Sequence, residues 1–248
     1  MTSSAAQPAA SAAEIEARLH GIGDAEHARF VAGYFRTGPG EYGHGDRFIG
    51  IRIPALRALA REYRGVSIGA AADLIRSEWH EARLFALLLL VDAYKRGNAE
   101  TREAIYRLYL ANTRYINNWD LVDSSAPQIV GAHLERRDRG VLDALARSES
   151  VWERRIAILA TQHFIRQGDF SATLRIAEAL VDDGHDLIHK AVGWMLREVG
   201  NRDRAAEESF LIRHHRTMPR TMLRYAIEKF PPDLRQRYLR GEVAPPSP

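Results

Sequence analysis

Cysteine is missing altogether from the 248 residues. Neither a disulfide framework nor a thiolate metal site can form, which fits a reducing compartment. Long apolar runs are missing too. The longest, Leu84 to Val91, falls far short of the roughly 20 residues that span a bilayer. The opening MTSSAAQPAASAAE has no basic segment followed by an apolar core, so it reads as a loose tail and not as a signal peptide. These absences lead us to expect a cytoplasmic protein that makes no membrane contact. Metal motifs are equally scarce. Of ten histidines, only His214-His215 and His185…His189 fall close together, without the carboxylates of an HExxH helix. No metal and no cofactor are expected.

Strand signals are also lacking. Alternating β-branched runs do not occur, and Ala, Leu, Arg and Glu dominate the chain, so its period is helical. Helices are predicted over 12–20, 24–36, 54–64, 68–77, 79–96, 98–113, 117–135 with a break near Pro127, 138–148, 150–167, 169–182, 186–199, 202–215, 218–229 and 232–240. Pro54 and Pro232 sit at first-turn positions, and Gly97, Gly168, Gly184 and Gly200 stand where helices should stop. With 46% hydrophobic residues, the chain can bury a full core. Residues 12–240 are expected to form one domain, with disordered tails at 1–11 and 241–248. From about residue 68 the helices pair at intervals of roughly 30 to 45 residues, the spacing of an all-α solenoid of HEAT-like antiparallel pairs. A globular helical bundle remains the alternative.

One loop interrupts this order. Thr37-Gly-Pro-Gly-Glu-Tyr-Gly-His-Gly-Asp46 places four glycines between Gly38 and Gly45. Backbone amides in such a loop can hold phosphate, but the Gly-Lys-Ser/Thr of a P-loop is missing and no strand precedes it. A tight turn that delivers Phe48-Ile49-Gly50-Ile51 into the core is the favoured reading.

Charge is unevenly placed. Residues 1–100 carry 12 Lys/Arg and 12 Asp/Glu, whereas residues 190–240 carry 12 Lys/Arg against 6 Asp/Glu. A one-sided basic region suits a polyanion, although a solvated helix surface gives the same count.

Three segments combine aromatic and charged residues. In DLIHKAVGWMLREVG, 186–200, residues Ile188, Ala191, Val192, Met195, Leu196 and Val199 form a core stripe, while Lys190, Trp194 and Arg197 cluster on the other side. Trp194 is either packed on a second buried face or an aromatic platform among phosphate-binding cations. In VWERRIAILATQHFIR, 151–166, Ile156, Leu159, Ala160 and Phe164 make the stripe, Arg155 borders it, and Trp152 reads as packing. In INNWDLVDSSAP, 116–127, Trp119 and Asp123 share a helix face, whereas Asp120 is set apart to cap or to pair with an arginine. The tryptophans stand 33 and 42 residues apart, so in a solenoid Trp119, Asp123, Arg155 and Trp194 would line one concave surface.

FIGIRIPALR at 48–57, NNWDLVDSSAP at 117–127, VWERRIAIL at 151–159 and DLIHKAVGWMLRE at 186–198 together resemble the AlkD-type DNA alkylation-repair glycosylases. The resemblance runs from about Ala28 to Phe230. It implies a HEAT-like α-solenoid that excises cationic N3- and N7-alkylated purines from duplex DNA without a metal and without a deep base pocket. It implies that Asp123 is the catalytic carboxylate, that Trp119 and Trp194 contact the damaged nucleotide, and that Arg155 is the active-site arginine. Lys190 and Arg197 fall near DNA, and the basic C-terminal region adds Arg220 and Arg224 as DNA-binding candidates. The protein is expected to act as a monomer on double-stranded DNA. Two departures stand out: Asn118 occupies a position that is aromatic in some relatives, where it would alter lesion contacts, and the 37–46 loop is inserted. A non-catalytic solenoid that binds DNA or protein, and a glycosylase for bulky adducts, are the competing readings.

Overall fold

Helix formers dominate the chain, and side-chain caps punctuate it. The computed structural model describes residues 10–243; of the tails expected at 1–11 and 241–248, residues 1–9 and 244–248 lie outside the described residues. α1 (Ala12–His20) opens with a capping box in which the Ser11 hydroxyl accepts from the Glu14 amide and the Glu14 carboxylate accepts from the Ser11 amide. Asp24 caps α2 (Ala25–Tyr34) through the amides of Glu26 and His27. Next come α3 (Ile53–Glu62), with Pro54 in its first turn, and α4 (Ile68–Ile75), capped by Ser67. α5 (His80–Arg96), α6 (Ala99–Ala111) and the five-residue α7 (Trp119–Asp123) complete the first of two compact units, which ends at Ser125.

The second unit starts at Ala126. It holds a π-helical turn over Pro127–Gly131, then α8 (Gly140–Ala146), α9 (Val151–Ala160), α10 (Gln162–Ile165) and α11 (Ser171–Ala179). α12 (Asp186–Gly200), α13 (Arg204–His214), α14 (Arg220–Ala226) and α15 (Pro232–Arg240) follow. No strand occurs among the described residues, where the sole β-type pairing is an isolated bridge between Arg47 and Trp79. No helix among them is long and apolar enough to cross a membrane.

Within each unit, alternate helices stack and the helices between them back the stack, the order expected of successive helix pairs. In the first unit α5 is the hub, packed by α3, α4, α6 and α7. Its apolar residues surround its circumference, as they must in a helix with neighbours on every side. In the second unit the π-helical turn packs on α9, α9 on α12 and α12 on α14, with α8 and α11 paired behind. Two glycines permit close approach there. A Cβ on Gly193 would stand 2.4 Å from the Met222 carbonyl of α14, and one on Gly131 would stand 2.2 Å from the Ala160 carbonyl of α9.

Two predicted helices are interrupted. The 117–135 segment breaks close to Pro127, as expected: α7 ends at Asp123, where the Ser124 and Ser125 hydroxyls both donate to the Leu121 carbonyl and Pro127 lacks an amide hydrogen to continue the ladder, and helical turns resume over 126–133. The 150–167 helix breaks at Thr161, whose buried hydroxyl donates to the Ile158 carbonyl at 2.6 Å. The core stripes fall where periodicity put them. Ile188, Ala191, Val192, Met195, Leu196 and Val199 are all fully buried, as are Ile156, Leu159, Ala160 and Phe164.

Candidate active site

The glycine-rich loop folds back tightly on the end of α2. Arg36 adopts φ 52°, Gly40 φ 78° and Gly45 φ 88°, and a Cβ on Gly43 would lie 2.3 Å from the Phe35 carbonyl. Only glycine fits there. The loop therefore ends with Asp46 directed inward, its side chain 4% exposed. Beyond it, Glu81 of α5 accepts the amides of Ile49, Gly50 and Ile51 at 2.8–3.2 Å, which anchors the segment that the sequence sent into the core.

A buried carboxylate needs partners. Asp46 Oδ1 accepts from Arg83 Nη2 at 2.6 Å, and its Oδ2 accepts from Asn118 Nδ2 at 2.9 Å and from His80 Nδ1 at 3.2 Å. The other ring nitrogen of His80, Nε2, donates to Asp120 Oδ2 at 2.8 Å. With an ionised carboxylate on each side, both ring nitrogens must carry hydrogen. Burial alone would push the His80 pKa down, but Asp120 and Asp46 raise it to about 9. Burial likewise works to raise Asp46, and the bond from His80, the Arg83 charge and the bond from Asn118 outweigh it and hold the carboxyl below its usual range.

This polar cluster grips the N-terminus of α7. Asn118 is fully buried, and its Oδ1 accepts the Trp119 amide at 2.8 Å. Where some relatives carry an aromatic side chain, this chain thus has a helix cap, closed off from solvent and bound to Asp46. Asp120 Oδ1 accepts the Leu121 amide in the first turn at 2.9 Å, in keeping with a capping role, and its charged partner is a histidine where an arginine was expected.

Trp119 and Asp123 do share a face, as their four-residue spacing required. Both line a cavity of about 560 Å³ together with Phe30, Tyr34, Phe35 and Asp120. Phe35 stacks on Trp119 with centroids 5.2 Å apart and planes at 19°, and Tyr34 meets Trp119 edge-on at 6.1 Å. Phe48 in turn stacks on His80 at 4.7 Å. α2 buries none of its residues, and Phe30 and Tyr34 are 69% and 61% exposed at the cavity. Beside Asp123, burial pushes the Tyr109 phenol up, and the Asp123 charge adds to the shift despite an opposing hydrogen bond with Ser125. Sequence reasoning missed Asp46, His80, Phe30, Tyr34 and Phe35. The glycine run before Asp46 was the only signal for any of them.

The remaining candidates belong to the second unit. Arg155 is buried, and its Nη1 donates to the Leu187 carbonyl in the first turn of α12 at 2.6 Å. On α12, Trp194 is half-buried, Lys190 pairs with Asp186 at 2.7 Å, and Arg197 is held by Glu228 with its side chain 16% exposed. Arg220 and Arg224, one turn apart on α14, are both exposed. Trp152 is buried, as expected of a packing residue. No group of three or more His, Asp or Glu able to hold a metal occurs among the described residues.

Comparison with known proteins gives two likenesses. The family model described as DNA alkylation repair enzyme matches residues 15–230. Among solved structures, the chain is similar to a predicted DNA alkylation repair enzyme from Enterococcus faecalis. That likeness has a TM-score of 0.65 at 17% identity and covers 85% of this chain and 97% of the other. No curated protein matches the chain.

Proposed function

The chain belongs to the family of DNA alkylation repair enzymes, and from that premise we propose that it is a monofunctional DNA N-glycosylase acting on cationic N3- and N7-alkylated purines in duplex DNA. The observation that carries the proposal is the placement of Asp123 and Trp119 on one wall of an aromatic cavity. An alkylated purine of this kind is already a cation, so its departure needs no proton donor. The C1′–N bond breaks with its electron pair going to the base, which leaves as a neutral purine. Positive charge then develops on the sugar. A carboxylate at Asp123 and the electron-rich face of Trp119 stabilise that charge. Water adds to C1′ and gives up a proton, and an abasic site remains. In this reading Trp194 and Arg155 contact the damaged nucleotide, and Lys190, Arg197, Arg220 and Arg224 meet phosphates.

The test is release of 7-methylguanine or 3-methyladenine from methylated duplex DNA by the purified protein. Asp123→Asn should lower release by about 10² to 10³ and leave duplex binding intact. Equal background release from both proteins would sink the reading in favour of a non-catalytic DNA-binding protein. The size of the cavity and its exposed aromatic rings also favour a second reading, preference for bulky adducts. Faster release of an N7-adduct bearing a flat aromatic substituent than of 7-methylguanine, with the advantage lost in Phe30→Ala, would support it.

A further inference from the structure

α7 is a helix of five residues, too short to hold its own shape, because forming a first helical turn fixes several residues for a single hydrogen bond. Its direction must come from what grips it. Two of the grips reach its first turn from distant parts of the chain: Asn118, the cap, is bound to Asp46, and Asp120 is bound to His80. His80 also binds Asp46, so the loop, α5 and the start of α7 close into one ring of contacts. His80 is the first residue of α5, the hub helix of the unit, and its side chain is 2% exposed. It joins a rigid element to a short one that carries Trp119 and Asp123.

We propose that His80, held between Asp46 and Asp120, is a positioning residue that sets the orientation of Asp123 toward the sugar. The proposal rests on the glycosylase reading above. His80 is placed to act through its charge. The charged groups facing it are Asp46 from the loop and Asp120 from α7. On its own helix, Arg83 binds Asp46, while Glu81 is occupied by the backbone amides of residues 49–51. The rings of Phe35 and Phe48 pack against its imidazole. When His80 loses its proton, one of its two hydrogen bonds must go. Arg83 still balances Asp46, whereas among the described residues Asp120 has no Lys or Arg partner, so the loosened contact is the one to α7. The sign follows from a pKa raised to about 9: the grip is complete at neutral pH and is released as pH rises through that value.

The experiment compares the full-length protein with His80→Gln and Asp120→Asn. Single-turnover release of 7-methylguanine is followed over about pH 6 to 10, together with amide exchange of residues 118–125 and 186–200. Wild type should hold its rate through neutral pH and lose it above about pH 9. His80→Gln should release base about 10- to 100-fold more slowly, without the alkaline fall and with unchanged duplex affinity. Its 118–125 amides should exchange about tenfold faster while those of 186–200 do not change. Asp120→Asn keeps an acceptor for His80 but removes a charge, so it should fold and should move the alkaline fall to lower pH. Wild-type rates with an unmoved alkaline limb in both variants would overturn the proposal, and so would equal exchange in all three proteins. If wild type releases no base at all, the glycosylase reading falls, and the exchange comparison alone decides whether His80 positions α7.

Discussion

α7 and α12 each carry a candidate tryptophan, and they are held in opposite ways. α12 has fifteen residues and buries eight of them against α9, α13 and α14. It is fixed by area and close packing, which are indifferent to proton concentration. α7 has five residues, of which it buries Leu121 and Val122, and its first turn is held by a network of charges: Asp46, Arg83, His80 and Asp120, joined by Asn118. Such a network is directional and gives one defined geometry, but removing one partner leaves another buried and unpaired. A carboxylate that must face a reacting sugar benefits from the directional hold. A helix that supports a broad surface is served by the apolar one.

The contrast can be tested by breaking each hold in turn. Met195→Ala removes a fully buried side chain from the α12 stripe and should cost about 2–5 kcal/mol of stability. The loss should be the same in denaturant titrations at pH 6 and at pH 9, which bracket the ordinary histidine pKa of about 6.5. A loss confined to one pH would refute the apolar account of α12. Asn118→Ala takes the cap from α7 and a partner from Asp46 and should cost about 1–2 kcal/mol. It should slow base release by more than its effect on melting accounts for, and an unchanged rate would show that α7 is held elsewhere.

Glu207 probes the contrast from inside the second unit. It packs against Gly200 at the end of α12, and burial raises its pKa to about 8, against the pull of Arg204. The folded state therefore binds its proton more tightly than the unfolded chain, so stability falls as pH rises from about 4.5 to about 8. Glu207→Gln should melt about 2–4 °C higher than wild type above that window and show no difference below it. An identical melting difference at both ends would mean that packing, not charge, dominates there. The smallest effect concerns cations. Lys190→Ala should lower the salt slope of duplex binding by about one charge, measured by fluorescence anisotropy. Arg197→Ala should lower it less: both cations have a carboxylate partner, but the Arg197 side chain is 16% exposed against 41% for Lys190 and is less able to leave that partner for a phosphate.

The stripes of α9 and α12, the shared face of Trp119 and Asp123 and the order of the helices were legible in the sequence. They depend on residues three and four positions apart, and helical periodicity reports those directly. The grip on α7 was not. Asn118 meets Asp46 across 72 positions and Asp120 meets His80 across 40, and no local pattern encodes either distance. Asn118 drew attention because some relatives are aromatic at that position; its burial as a cap depends on a loop 72 residues earlier. The glycines of residues 38–45 had signalled a tight turn, but not the aspartate that the turn delivers.

By itself the sequence determined the all-α class, the helix pairing and the residues that share each face, since local propensity and period settle these before any long-range contact forms. The tertiary structure alone decided that His80, Asp46 and Asn118 hold the candidate carboxylate in place, and that α2 leaves Phe30 and Tyr34 uncovered beside it. Hydrogen bonds between buried charges, and the space left between helices, exist only once distant segments have met.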